Sequence, residues 1–283
     1  MISADSMQVY RGMDIGTAKA TPAERAVITH HLVDVREIDE PFNVAEFYRE
    51  CQEVYRDIFS RENVPIIAGG SGFYIHSLIY GPPAGPTPIP EVRDQLDRQM
   101  REMGPEMLYE RLQLLDPEYA QTISEKDRHK IIRALEIIAL SDRKVSDFPK
   151  LSEQQLPQEY DFRCWFIYYP RESLYARIEK RCDEMIAAGF LDEVRRLDEQ
   201  GLLRLNSSAA QAIGYRQALT YLDSPQTPEE YRNFISSFKK ASRHYAKRQF
   251  TWFRKEPLFR WLNIEEYTPH QLRELILQDF ERG

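Results

Sequence analysis

Met1 to Ala4 is a short apolar run that gives way at once to polar residues and the loop Arg11-Gly12-Met13-Asp14-Ile15-Gly16. That pattern reads as the end of a buried strand. Thr21-Pro22-Ala23-Glu24 has the form of a capping box with proline at the first helical position, which predicts a short helix. Asn43 can cap a second helix, whose apolar residues Val44, Phe47, Cys51, Val54, Tyr55, Ile58 and Phe59 recur at helical spacing. A short strand, Val64-Pro65-Ile66-Ile67-Ala68, then meets Gly69-Gly70-Ser71-Gly72 and a further apolar helix through Tyr80. Strand, helix, strand, glycine turn and helix is the order of a parallel α/β sheet with right-handed crossovers.

The order stops at Gly81, where five prolines between 82 and 90 forbid a helix and predict a linker. From 91 to 156 the pattern is wholly helical, which predicts a helical insertion domain flanked by a core made of 1–90 and 157–283. Asp161 to Pro170 restores a strand rich in aromatic and branched residues. Helices are expected over 172–188, 190–200 and 208–221, and a long one opens on the capping pattern Thr227-Pro228-Glu229-Glu230. Leu258 to Leu262 suits a closing strand, and Thr268-Pro269-His270-Gln271 starts a last helix.

Size and composition fit this outline. A chain of 283 residues accommodates roughly two domains at about 150 residues each. With 42% hydrophobic and 29% charged residues it is ordinary for a soluble protein, and no apolar run approaches the ~18 residues of a membrane span. The first residues lack the basic start and apolar stretch of a signal peptide. Cys51, Cys164 and Cys182 form no CxxC pair, which argues against a disulfide framework or a cysteine-rich zinc site and suits a reducing cytoplasm.

Charge changes the picture through its distribution. Phe238 to Arg260 holds eight cations against the single acid Glu256, so this segment carries +7 and the rest of the net −7 chain carries −14. The cations are interleaved with Phe238, Tyr245, Phe250, Trp252, Phe253 and Phe259. Such a stretch can neutralise phosphates and stack bases, or it can be an apolar helical stripe with a wet basic face. Asp5-Ser6 follows the first strand, where a carboxylate can act as base, hold magnesium or cap a turn. The glycine turn around Ser71 can cradle an anion or simply turn tightly. Lys19, Arg133 and the pair Arg177 and Arg181, four apart on one helix face, could supply cations to a phosphate site. No GxxxxGK[ST] loop occurs, and the six histidines form no metal-binding spacing.

Taken together, SADSMQVYRGMDIGTAK at 3–19, HHLVDV at 30–35, AGGSGFY at 68–74 and RALEI at 133–137 resemble the tRNA dimethylallyltransferase family. ARIEKRCDEMIAAGFLDEV at 176–194, QAIGYR at 211–216 and AKRQFTWFR at 246–254 continue the resemblance in the family's order. The resemblance implies a core like that of a P-loop kinase. It also implies transfer of dimethylallyl from dimethylallyl diphosphate, with Mg2+, to the exocyclic amine of adenine 37 in the tRNA anticodon loop. Asp5 falls on the expected general base, and Ser71 stands where the family usually has threonine. Lys19, Arg177 and Arg181 match positions near the diphosphate. Asp5, Ser6, Met7, Gln8, Ser71, Arg93, His129, Lys130, Ile131, Ile132 and Arg133 match segments that touch tRNA. So do Gln211, Ala212, Ile213, Gly214, Tyr215 and Arg216, followed by Lys247, Arg248, Gln249, Trp252 and Arg254.

The resemblance further suggests a cytoplasmic monomer with no membrane contact. In the family a strand and the P-loop GPTxxGKT precede the Asp5 motif. That unit is not in this sequence, so the expectation is a shortened form of low or no activity, with a gap in the sheet beside the strand ending at Ala4. The rivals are a prenyltransferase acting on a free adenine nucleotide and an inactive remnant that still grips tRNA.

Overall fold

The computed structural model describes residues 1–83, 85–149 and 159–282. It divides into two compact units, Met1–Ile79 with Gln158–Gly283, and Tyr80–Pro157. The end of the helical insertion expected at 156 lies outside the described residues.

In the first unit, strand β1 (Ile2–Ser3) pairs in parallel with β2 (Ile67–Ala68), with Ile2 opposite Ile67. On its other side β1 bridges to His31, so Ser3 N donates to His31 O while Ala4 N donates to Ala68 O. The expected gap beside β1 is therefore not there; among the described residues it is β2 that has only one partner. Helices α1 (Pro22–Val27), α2 (Val44–Ser60) and α3 (Gly72–Tyr80) follow, and the first two start on the expected capping boxes at Thr21 and Asn43. Phe47, Cys51, Tyr55 and Ile58 of α2 are the buried stripe.

After the second unit, β3 (Cys164–Tyr168) leads into α7 (Arg171–Ala187) and α8 (Phe190–Glu199). The helix expected over 208–221 is instead two short ones, α9 (Ser207–Ala210) and α10 (Tyr215–Leu222). Gly214 breaks it: its φ is +88°, and a Cβ there would meet Phe238 at 2.8 Å and Phe190 at 2.9 Å. Only glycine fits both the backbone and the space. The long α11 (Pro228–Phe253) opens on its capping box at Thr227. Strand β4 (Phe259–Asn263) pairs in parallel with β3, and α12 (Pro269–Glu281) ends the chain. The single parallel sheet expected is thus two separate two-stranded parallel sheets among the described residues, in a mostly helical α/β protein. Strand pairing falls short of the apolar runs because flanking residues such as Pro65 cannot donate to a ladder.

The second unit is helical. Helix α4 (Pro90–Leu115) is interrupted at Gly104, where φ is +83° ahead of Pro105, and continues into α5 (Pro117–Ala120) and α6 (Arg128–Ser141). Leu96, Met100, Leu108, Leu112, Ile131, Ile132 and Leu135 form its core. Buried Asp116 ties it together, accepting from Tyr119 N at 3.0 Å and from Ser146 N and Oγ at 2.9 and 2.8 Å.

Candidate active site

Asp5 sits just past the carboxyl end of β1. Its Oδ1 accepts from Met7 N at 2.8 Å and Gln8 N at 3.3 Å, a tight turn that fixes the carboxylate. Burial raises its pKa above the usual carboxylate value, opposed by these two backbone donors and by the positive field of Arg181. Oδ2 has no hydrogen-bond partner among the described residues. The glycine turn closes over this point: Ser71 N donates to Ala4 O at 3.2 Å, and Ser6 N donates to Ser71 Oγ at 3.1 Å. Asp5, Ser6 and Ser71 are therefore one assembly. Gln8 is turned inward, accepting from Ser3 Oγ and donating to Thr17 O, so its amide is occupied within the protein.

The glycines of the turn serve protein packing. A Cβ on Gly69 would collide with the Ala4 backbone, one on Gly70 with the Gln249 amide, and one on Gly72 with the Trp252 indole, 2.6 Å from Nε1. Tyr245, Gln249 and Trp252 fall on one face of α11, and Gln249 Nε2 and Tyr245 OH both approach Gly70 O, at 3.2 and 3.5 Å. Of the two readings of GGSG, the tight turn is what these contacts describe, with the close approach made by β1 and α11. A second face of α11 carries Phe250 and Phe253, whose rings pack on Phe166 of β3 at 5.2 and 5.1 Å.

The basic segment also sorts itself by face. Lys239 pairs with Asp183 and Arg243 with Glu179, both on α7, and Arg260 pairs with Asp279. Lys247, Arg248, Arg254 and Lys255 are exposed and have no carboxylate partner among the described residues. Arg248 lies over the Tyr245 ring at 5.4 Å. Arg177 and Arg181 of α7 are likewise exposed and have no ion pair among the described residues, with Arg177 over the Tyr169 ring at 4.3 Å.

Several expected contact residues have other work. The Lys19 side chain is only 3% exposed, and its ammonium donates to Tyr10 O, Asp14 and Asp34 at 2.5, 2.8 and 2.5 Å. All three donors are used, so it is a strut and not a free cation facing a diphosphate. Tyr215 is fully buried, and Ala212 and Gly214 are buried beside it, leaving Gln211 and Arg216 as the exposed members of that segment and Ile213 half-buried. In the second unit Ile131 and Ile132 are core residues, and Arg133 is held by Glu136 and by Pro86 O, each at 2.7 Å. His129 and Lys130 are exposed, and Arg93 is half-buried.

Glu193 escaped the sequence reading. It is 6% exposed, yet its carboxylate accepts from the backbone N of Asp14, Ile15 and Gly16 at 3.0, 2.7 and 3.2 Å and from Tyr215 OH at 2.6 Å. It clamps the loop that holds Gln8 and Lys19. The available signal was its place at the i+3 position of the apolar stripe Phe190, Val194 and Leu197.

A magnesium ion requires few protein ligands when phosphate oxygens complete its shell. Among the described residues no three His, Cys, Asp or Glu side chains converge.

The comparisons with known proteins agree on one lineage. The profile of the IPP transferase family matches residues 8–256. A tRNA dimethylallyltransferase of Protochlamydia amoebophila is 59% identical over 99% of this chain, which spans 81% of that relative's length. The structure of a tRNA delta(2)-isopentenylpyrophosphate transferase from Staphylococcus epidermidis, 35% identical, superposes with a TM-score of 0.68 over 100% of this chain and 90% of its own. A eukaryotic dimethylallyltransferase acting on tRNA, 26% identical, gives 0.78 over 99% and 72%. Full-length similarity of this kind, on a fold that gathers Asp5, Ser6 and Ser71 at one strand end, places the chain in the IPP transferase family.

Proposed function

We propose that this chain transfers a dimethylallyl group from dimethylallyl diphosphate to the exocyclic amine of adenine 37 in a tRNA anticodon loop. The observation that carries the reading is the Asp5–Ser71 assembly, in which a desolvated carboxylate keeps one oxygen unbonded at the end of β1. The adenine nitrogen attacks the prenyl carbon, the carbon–oxygen bond to diphosphate breaks, and Asp5 Oδ2 takes the amine proton. Ser71 holds the Asp5 turn through Ser6 N, and its hydroxyl is also hydrogen-bonded to Tyr245 of α11, which ties the turn to that helix. Arg177 and Arg181 supply positive charge for the departing diphosphate, and Lys247, Arg248 and Arg254 engage tRNA phosphates. In the second unit, taken by itself, His129 and Lys130 are exposed and suited to contact tRNA.

The diphosphate gains charge as it leaves, and stabilising it needs prearranged donors. Arg177 and Arg181 supply part of that charge, and a ring of backbone N–H groups of the kind a phosphate-cradling loop presents would add to it.

The test is transfer of labelled dimethylallyl to tRNA by the chain and by a version carrying the family's N-terminal strand–loop–helix unit, each with and without Asp5→Ala. The expected result is faster turnover in the extended version and, wherever turnover is measured, a loss of roughly 10²–10⁴-fold in kcat on Asp5→Ala, with tRNA affinity retained. Near-normal turnover of the Asp5 variant removes it as the base, and equal rates from both lengths refute the contribution of the loop. An adenine nucleotide that is prenylated while tRNA fails to compete would favour the free-nucleotide reading.

A further inference from the structure

Most large rings of the basic segment are absorbed by the core, as Phe250 and Phe253 are against β3 and β4. Trp252 is not: it is 39% exposed, and Phe73, at the start of α3, is 37% exposed beside it. Their centroids lie 6.2 Å apart with planes at 75°, an edge-to-face pair. The pair is built, since Gly72 is the only residue that lets the indole rest on the turn, and the His76 ring meets the same indole at 6.5 Å. His76 Nδ1 is in turn hydrogen-bonded to Glu256 at 2.7 Å, which fixes that support.

Two further features point to a ligand. Phe73 is two residues from Ser71, so the platform adjoins the reacting centre. Lys247, Arg248, Arg254 and Lys255, exposed and without a carboxylate partner among the described residues, all lie within five residues of Trp252 along the chain. An uncovered aromatic pair with such cations close along the chain is the arrangement that binds single-stranded nucleic acid, with rings taking base faces and cations taking phosphates.

We propose that Phe73 and Trp252 form a stacking platform for one unpaired nucleobase next to the reacting adenine, so that the chain senses the order of the loop through ring stacking. This rests on the proposed tRNA function and specifies how the same site holds its RNA.

The experiment uses the 283-residue chain and an anticodon stem-loop RNA, with Kd measured by fluorescence anisotropy across a salt series. Phe73→Ala and Trp252→Leu should each weaken binding by roughly 5- to 150-fold, the span of base–aromatic stacking, and Trp252→Phe by less. The slope of log Kd against log salt should not move, because no phosphate contact is lost. Replacing loop nucleotides one at a time by abasic residues should then identify one position at which Phe73→Ala has no further effect. Binding by all variants equal to the unaltered chain, or effects additive at every abasic position, overturns the platform alone. Failure of the unaltered chain to bind the stem-loop at low salt overturns the platform and the tRNA reading together.

Discussion

Replacing Glu193 by alanine removes the acceptor of four hydrogen bonds at once. Tyr215 OH is sealed in the core, and leaving it unpaired costs about 1–3 kcal/mol. The N–H groups of Asp14, Ile15 and Gly16 belong to a half-exposed loop that can reach water, so each contributes nearer the ~0.5–1.5 kcal/mol of an ordinary net hydrogen bond. Together the loss is about 5 kcal/mol. At ~2–4 °C per kcal/mol for a unit of this size, thermal unfolding followed by circular dichroism should fall by roughly 10–20 °C. Glu193→Gln keeps one acceptor oxygen but turns an amide NH2 onto the remaining donors, and should fall by about half as much. Arg195→Ala, on the exposed side of the same helix, should stay within about 0.5 kcal/mol of the parent and serves as the control. A Glu193→Ala protein less than about 1 kcal/mol below the parent would show that the clamp is dispensable and that the loop is held by Lys19 alone.

Lys247→Ala with Arg248→Ala should flatten the dependence of log tRNA affinity on log salt by about 1.4–1.8 units, and an unchanged slope would return both to plain solvent-exposed surface. Gly214→Ala should lower stability by roughly 1–3 kcal/mol in urea titration, because its φ of +88° and the Phe190 and Phe238 rings both reject a methyl group. Asp5 acts only when ionised, and burial raises its pKa. The acid limb of log kcat for the extended version should therefore lie above the ordinary carboxylate value of 3.8, with activity rising as pH increases through it. A limb at or below that value would mean that the carboxylate is not desolvated while the enzyme works.

Local signals in the chain were strong where one turn of structure decides the outcome. Thr21, Asn43, Thr227 and Thr268 each cap a helix through their own side chain, and those starts can be read from four residues. The Asp5 position was legible for a similar reason, since a carboxylate just after a strand has few places to be. The break at 211–214 was not, because the alternating small and apolar residues of QAIG keep helical spacing and the rings that exclude a Cβ come from α8 and α11. Lys19 looked like a free cation because its three acceptors are spread from Tyr10 to Asp34. Glu193 is the extreme case, since its backbone partners are nearly 180 residues away and carry no side-chain signature. The glycine turn left two readings open, since its spacing suits an anion and equally suits a helix packed across it.

The one-sided pairing of β2 bears on how the chain behaves at high concentration. A parallel strand paired on one side among the described residues offers its remaining backbone donors and acceptors to any extended segment that drifts past, and here Pro65 is the guard on the approach. Val64 and Ile66, on the way into that strand, are 53% and 61% exposed, and neither a lysine nor an inward charge interrupts the run through Ala68. Polar and apolar recruitment therefore act at one spot. Self-association of these 283 residues should begin there, as intermolecular strand addition that grows with protein concentration and resists salt, unlike association through the basic face of α11.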